Sequence, residues 1–559
     1  MLGLTYAQVM ASLALPDYMA RIVNEGIVNQ NQALIWSTGV NMILVTLGGA
    51  VAAVSSGYLA TKIGTGFSRN LRKAVFEKVE SFSMEEFNNF STASLITRST
   101  NDIQQVQMVV IILFRMVLSA PIMGVGAIIK ASNMAPSMTW IMGVAVAVLL
   151  TMIIVLFVVA VPKFKLVQKL IDKLNLVTRQ NLTGLKVIKA FNTETYEKEK
   201  FDDVNKDLTK INLFINRVMV IMQPIMMLVF NLTTIAIIWI GAHRIDIGEL
   251  QIGDMMAFMQ YAMQVIISFL MISIIFILLP RASVSAQRIS EVLGASLHIL
   301  DPKEPKKSRG KGEVLFRDVT FTYPDADVPV LYNISFTAKP GETTAIIGGT
   351  GSGKSTVVNL LPRFFDVTSG EILIDGVDIR DMRKKDLRRR IGYIPQKGVL
   401  FSGTIESNIK YGKPNATMEE VQEAARVAQA TEFISKLENG YDSHVAQGGS
   451  NFSGGQKQRI AVARALIADP DIYIFDDSFS ALDFETDYKL REELKTITKN
   501  STVIIVAQRI GTILHADKIV VLDNGRVVGI GKHKELLKDC KVYKEIANSQ
   551  LSEKELENE

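Results

Sequence analysis

Five apolar runs, near residues 35–60, 105–130, 137–161, 218–241 and 255–279, each reach the roughly 20 residues a helix needs to cross a ~30 Å hydrocarbon core. A sixth, at 1–20, is shorter because Met1 lies inside the apolar stretch. No cationic region precedes it and no small-residue cleavage site follows it. It reads as a shortened first membrane helix, not a signal peptide. The expected fold is an all-α membrane domain of six helices over residues 1–293. A polar linker at 294–312 and an α/β domain at 313–559 follow. Composition agrees: 48% hydrophobic residues beside 21% charged, with mean hydropathy +0.23, fit an apolar half and a polar half on one chain. A net charge of +5 is too small for a dedicated nucleic-acid binder of 559 residues. Cys540 is the single cysteine, which excludes an intrachain disulfide and a zinc-finger reading.

The connections between the runs orient them. Segment 62–104 carries Lys62, Arg69, Arg72, Lys73, Lys78 and Arg98, and segment 163–217 is richer still, from Lys163 to Arg217. The opposite connections are short: 22–34 has no Lys or Arg, and 242–254 has only Arg244. Both long loops are therefore expected in the cytoplasm, and six crossings put everything after residue 280 there too. Mixed charge and apolar spacing, with no proline between Pro162 and Pro224, predict that both loops are helical and extend the membrane helices. Arg115 lies within an apolar run, either lining a functional cavity or snorkelling from a helix end. Past the helical pattern Arg281–Leu293, the lysine-rich stretch Lys303–Lys311 reads as a solvated linker.

Beyond it, β-rich runs alternate with helical ones. The strand Ala345-Ile346-Ile347 runs into Gly348-Gly349-Thr350-Gly351-Ser352-Gly353-Lys354-Ser355-Thr356 and then a helical segment. This is G-x-x-x-x-G-K-S in the context it requires. The glycines let backbone N–H groups turn inward around phosphate oxygens. Lys354 is expected to reach the β- and γ-phosphates, and Ser355 to ligate Mg²⁺. A second apolar strand, Ile472–Phe475, ends in Asp476, placed to hold Mg²⁺ through water. Between them stands Asn451-Phe452-Ser453-Gly454-Gly455-Gln456, leading into another helix.

The order of phosphate loop, Gln396 in Tyr393-Ile394-Pro395-Gln396, FSGGQ, IYIFD and Ser480-Ala481-Leu482-Asp483 resembles the nucleotide-binding domain of an ABC transporter. With six preceding membrane helices, the whole chain resembles an exporter-type half-transporter of that superfamily. The likeness extends to Gly184–Phe191 and Gly253–Phe258. It implies ATP and Mg²⁺ as cofactors, with Tyr323 stacking on adenine and Gln396 sensing Mg²⁺ and the attacking water. It also implies that Ser453, Gly454, Gly455 and Gln456 serve the ATP of a partner domain, and that Asp483 belongs to the catalytic residues. Arg98, Asn101, Asp102, Phe191 and Asn192 would contact the nucleotide domains.

Two positions depart from the family pattern. Asp477 stands where hydrolysing members carry Glu, and Gln508 where they carry the switch His. Asp is one methylene shorter, and a misplacement of about 1 Å can cost ~100-fold in rate. Gln cannot bring positive charge toward a phosphate. Beside an intact FSGGQ, this looks like the degenerate half of a bacterial heterodimeric multidrug exporter. The implied partner is a second half-transporter carrying the Glu and the His. The implied location is the inner (cytoplasmic) membrane, and the implied cargo a small amphiphilic compound. Met219, Met222, Met226 and Met227, with Met255, Met256, Met259, Met263 and Met271, suit either a promiscuous apolar site or ordinary helix packing. Two alternatives are a homodimeric lipid or peptide exporter with slow ATPase, and an ATP-binding membrane regulator that does not transport.

Overall fold

The computed structural model describes residues 1–550. Residues 551–559 of the expected nucleotide-binding domain, and the side chains of Met222, Pro280 and Arg281, lie outside the described residues. The chain falls into two compact units, one of residues 1–80 and 92–294, the other of 81–91 and 295–559.

The first unit is wholly helical. Helix α1 (Leu2–Arg21) ends in a π-turn at Ile22–Ile27, and α2 (Gln32–Glu80) runs unbroken for 49 residues. Small residues every fourth position (Ala52, Ser56, Ala60, Gly64 and Ser68) form the buried stripe of α2. Without bulk there, neighbours approach closely: a Cβ on Gly64 would lie 2.4 Å from Ile111, and one on Gly49 2.9 Å from Ala11. In the second unit, Ser83 caps the short helix α3 (Met84–Asn89). The third crossing is assembled from α4 (Thr92–Thr97), α5 (Ile103–Ile112) and α6 (Ser119–Met134), joined by π-turns at Arg98–Asp102 and Leu113–Val117. Arg115 sits in the second π-turn, exposed at the surface of the unit.

Helices α7 (Thr139–Thr183) and α9 (Glu194–Asp246) carry the second long loop as continuous helix, joined by α8 (Leu185–Phe191). Asn192 ends α8 at φ +54°, a left-handed cap that Asn tolerates. Helix α10 (Ile252–Leu293) completes the unit. Five of the described helical segments are long and apolar enough to span a membrane. A polar tie that hydropathy did not single out fastens three helices. Lys130 Nζ on α6 lies 2.6 Å from Asp17 Oδ2 on α1, and Tyr261 OH on α10 lies 2.6 Å from Asp17 Oδ1 and 2.9 Å from Leu13 O. Arg98 and Asp102 both engage α10: Arg98 pairs with Glu291 at 2.8 Å, and Ser285 Oγ donates to Asp102 Oδ1 at 2.7 Å.

The second unit holds two main sheets. Strands β1 (Val314–Phe321), β2 (Leu331–Ala338), β4 (Ser369–Ile374) and β5 (Val377–Asp378) form an antiparallel sheet in the order β2-β1-β4-β5. The other contains β3 (Thr343–Gly348), β6 (Ile391–Ile394), β9 (Ile472–Asp476), β10 (Thr502–Val506), β11 (Lys518–Asp523) and β12 (Arg526–Gly531). Its order is β12-β11-β3-β10-β9-β6, parallel except for β12. A short ribbon, β7 (Gly403–Thr404) with β8 (His444–Val445), stands apart. Strands β9 and β10 are buried at every residue, which explains their uninterrupted apolar runs.

Helix α11 (Lys354–Leu360) follows β3, and α12 (Lys384–Arg389) precedes β6. A helical subdomain comprises α13 (Ile405–Lys410), α14 (Met418–Val427), α15 (Thr431–Ser435) and α16 (Gly454–Leu466). Helices α17 (Phe484–Ile497), α18 (Ile510–Ile513), α19 (His533–Asp539) and α20 (Lys541–Gln550) close the unit. The lysine-rich stretch is exposed along one side and fastened along the other. Lys306 pairs with Asp381 at 2.8 Å, while Arg390 binds Ser308, Gly310 O, Asp375 and Asp471.

The α3 segment is held by one carboxylate. Glu86, 2% exposed, accepts from Ser83 N at 2.6 Å, Ser83 Oγ at 2.5 Å, His298 N at 2.7 Å and lies 2.9 Å from His298 Nδ1. Burial alone would raise its pKa, but the Ser83 and His298 bonds outweigh it and hold it at about 2. The depressed value means the stabilisation is fully present above the ordinary 4.5 and is lost as pH falls toward 2. Glu86→Gln is therefore expected to loosen this segment at neutral pH. Protease accessibility of residues 81–91 should rise in the variant at pH 7 and in the parent only on acidification. Equal accessibility of the two at pH 7 would refute this.

Candidate functional site

The site forms where three strands of the six-stranded sheet end together. Val506 is in register with both Asp476 and Ile346, so the loops after β3, β9 and β10 emerge along one edge. The phosphate loop fills that edge. Gly351 and Gly353 adopt φ +80° and +95°, conformations open to glycine, and Gly353 begins α11. A Cβ on Gly349 or Gly351 would meet nothing within 4 Å, so the concave face of the loop is open. Gly348 is the opposite case, since its Cβ would lie 2.1 Å from Leu522 O.

Lys354, 9% exposed, folds back over the loop, donating to Gly348 O at 2.9 Å and Gly349 O at 2.8 Å. Burial pushes its pKa down, while the nearby Asp477 and Asp476 carboxylates pull it up. Ser355 Oγ donates to Asp476 Oδ1 at 2.8 Å, and Tyr393 OH reaches Asp476 Oδ2 at 3.3 Å. Burial raises the Asp476 carboxyl despite these two hydrogen bonds. Ser352 Oγ is buried without a hydrogen-bond partner among the described residues. An open nest of N–H groups, an unpartnered hydroxyl and a lysine held on carbonyls together fit a triphosphate. The adjacent Ser355 and Asp476 oxygens are the donor set of a hard divalent cation such as Mg²⁺.

Asp477 is held by two carboxamides. Its Oδ2 accepts from Gln396 Nε2 at 3.0 Å and from Gln508 Nε2 at 2.8 Å. Asp477 itself is 8% exposed and sits at φ +47°, its N–H bonded to Val506 O and its carbonyl accepting from Ser480 Oγ at 2.8 Å. The three positions singled out separately in the sequence are thus one hydrogen-bonded group.

The remaining positions lie around this centre. Tyr323 is packed edge-on against Phe321 and Phe365, with its OH 3.1 Å from Thr356 Oγ1. Asp483 caps α17 through Thr486 N at 2.9 Å and Thr486 Oγ1 at 2.8 Å, and forms no hydrogen bond to Asp477, Gln396 or Gln508. Ser453 caps α16 in a reciprocal box with Gln456; Ser453 and Gly454 are exposed, and Gly455 faces Ala481 O. Sequence reasoning missed Asn359, which accepts from Tyr393 OH at 2.9 Å and belongs to no motif.

A helical membrane unit joined to a parallel α/β domain with a P-loop, a strand-end aspartate and a Ser-Gly-Gly helix start defines a membrane-bound nucleoside triphosphatase. Comparison with known proteins gives the family. The ABC transporter transmembrane region matches residues 1–269, and the ABC transporter domain matches residues 331–480. An uncharacterized ABC transporter ATP-binding protein of Mycobacterium tuberculosis is 42% identical over 546 residues, covering 97% of this chain and 94% of that one. An ATP-dependent lipid A-core flippase of Desulfotalea psychrophila is 34% identical over 502 residues, covering 88% and 85%. A solved bacterial Atm1-family ABC exporter with ATP bound superposes with TM-score 0.84 at 25% identity, covering 98% of this chain and 97% of the other. The chain belongs to the ABC transporter family, with an exporter-type membrane domain fused to an ATP-hydrolysing domain.

Lys354→Ala removes the buried cation folded over the loop and leaves Asp476 and Asp477 without it. Affinity for MgATP, measured by equilibrium binding to the full chain, is expected to fall at least about tenfold. Unchanged affinity would show that the lysine does not face the triphosphate.

Proposed function

We propose that this chain is one half of an asymmetric ATP-driven exporter. Its own site binds MgATP and turns it over slowly, while its Ser453–Gln456 segment completes the working site of a partner subunit. The observation that carries the reading is the Gln396–Asp477–Gln508 group, in which a short carboxylate is held between two neutral amides. Activating water needs a carboxylate free to accept a proton at the right distance. Here one oxygen already accepts two hydrogen bonds, and neither partner brings positive charge. The exposed start of α16 supports the second half of the reading, because Ser453 and Gly454 present a capped helix N-terminus to a neighbour.

The partner is a second half-transporter bearing Glu and His at these two positions, and the location is the bacterial inner (cytoplasmic) membrane. For cargo we favour amphiphilic compounds of the multidrug type. A cavity of about 630 Å³ between α9 and α10 is lined by Met219, Met226, Met227 and Met263, with Gln223 its one polar side chain. Its size suits a single small molecule, and adaptable methionines suit varied shapes. A second reading is a homodimeric lipid exporter with slow turnover, favoured by the relative named as a lipid A-core flippase. The native mass of the purified complex separates one kind of subunit from two.

The test of the slow site is the pair of exchanges Asp477→Glu and Gln508→His in the full-length chain. Together they are expected to raise ATP turnover by about tenfold or more, since ~1 Å of misplacement is worth up to ~100-fold. No gain in the double variant, or vigorous turnover in the parent without a partner, would overturn the asymmetric reading.

A further inference from the structure

Gln508 and Arg509 are the two exposed residues of the loop between the buried Ala507 and Ile510. The chain leaves β10 at Val506 and enters α18 at Ile510, a helix of four residues whose N-cap, Arg509, supplies no side-chain hydrogen bond. The first N–H groups of a helix have no partner within it, so such a start is loose unless something else caps it. The cap comes from α20. Gln550 Oε1 accepts from Ile510 N at 2.8 Å, and Gln550 Nε2 donates to Gln508 O at 2.8 Å. One carboxamide therefore grips the backbone on both sides of Arg509.

Helix α20 can hold that grip because it is anchored itself. Tyr543 and Ala547 are fully buried in the core that also contains Ile510 and Ile513. Gln550 projects from the turn after Ala547, so its reach toward the loop is set by packing. The line of contacts is continuous: Gln550 to the Gln508 backbone, Gln508 Nε2 to Asp477, and Asp477 to Gln396. Asp477 and the loop share a second tie, from Asp477 N to Val506 O at 3.0 Å. Gln508 is thus fixed on one side by the sheet and on the other by the Gln550 carboxamide of α20, while Arg491 holds the next turn through Gly511 O and Thr512 O at 3.1 Å.

We infer that Gln550 is a positioning residue for the ATP site, setting the Gln508 loop so that its carboxamide meets Asp477. It touches neither nucleotide nor metal and acts through the backbone of residues 508–510. This concerns the resting geometry of the site and does not depend on how fast the site turns over.

The experiment uses the full-length chain in lipid nanodiscs. It compares Gln550→Ala, Gln550→Glu, Gln508→Ala and the Gln550→Ala/Gln508→Ala double variant, with Ser549→Ala as the control one residue away. Without nucleotide, amide exchange across residues 507–511 is expected to quicken about tenfold in both Gln550 variants. Exchange across 348–356 and 541–549 should stay as in the parent. MgATP affinity should hold within about twofold while turnover rises about fivefold, because the loop that binds phosphate is untouched and Asp477 is released from one of its two amides. Gln508→Ala should raise turnover equally, and the double variant no further. Unchanged exchange at 507–511 in the Gln550 variants would overturn the inference. So would exchange that quickens equally across 541–549, or changes in the two single variants that multiply in the double.

Discussion

A buried carboxylate with no cation of its own is the feature on which the nucleotide half turns. Asp476 and Asp477 end β9 side by side, 6% and 8% exposed, with Lys354 the nearest buried positive charge. Lys354 makes its hydrogen bonds to the carbonyls of Gly348 and Gly349, not to either aspartate. Acceptors therefore outnumber cations at this edge, an arrangement costly for a resting fold and suited to a site that receives Mg²⁺. The neighbouring donors make it tolerable: Ser355 and Tyr393 serve Asp476, and two glutamines serve Asp477.

The sequence was most informative where backbone geometry demands particular residues. Gly351 and Gly353 sit at positive φ as a phosphate loop requires, and the apolar strands β9 and β10 are buried on both faces as their unbroken runs imply. Long helices were legible from hydropathy and from the absence of breakers. What could not be read was pairing across distance. Asp17, Lys130 and Tyr261 are separated by 113 and 244 residues from one another in their contacts, and no local pattern joins them. Glu86 looks like an ordinary capping-box acid, and its bonds to His298 depend on the fold returning there after 212 residues. The same holds for Gln550, which lies in no motif and acts only because α20 folds back beside the loop after β10.

The membrane half shows two ways of fixing helices without a large difference in hydrophobicity between lipid and protein. Along α2, small residues let backbones approach, and adding one methyl at Gly64 would collide with Ile111. Among α1, α6 and α10, the fixing is polar and directional, through Asp17, Lys130 and Tyr261. Small-residue contacts permit sliding along a groove, whereas a hydrogen-bonded ion pair allows one register. Both devices share α1, which meets α2 at Ala11 and Thr5 and meets α6 and α10 through Asp17.

The length of the side chain at 477 matters because its backbone is not free to compensate. A non-glycine residue at φ +47° is uncommon, and Asp is among the types that tolerate it best. The Asp477 N–H is bonded to Val506 O, and its carbonyl to Ser480 Oγ, so the Cα–Cβ direction is set by the sheet edge. A longer acid at this position could not retreat along the chain. It would move its carboxylate past the point where Gln396 and Gln508 now converge, and at least one of those bonds would have to be remade. The glutamines at 396 and 508 and the aspartate at 477 are therefore matched in length. Exchanging the acid alone breaks a satisfied group, and only exchanging it with its partner allows a different one to form.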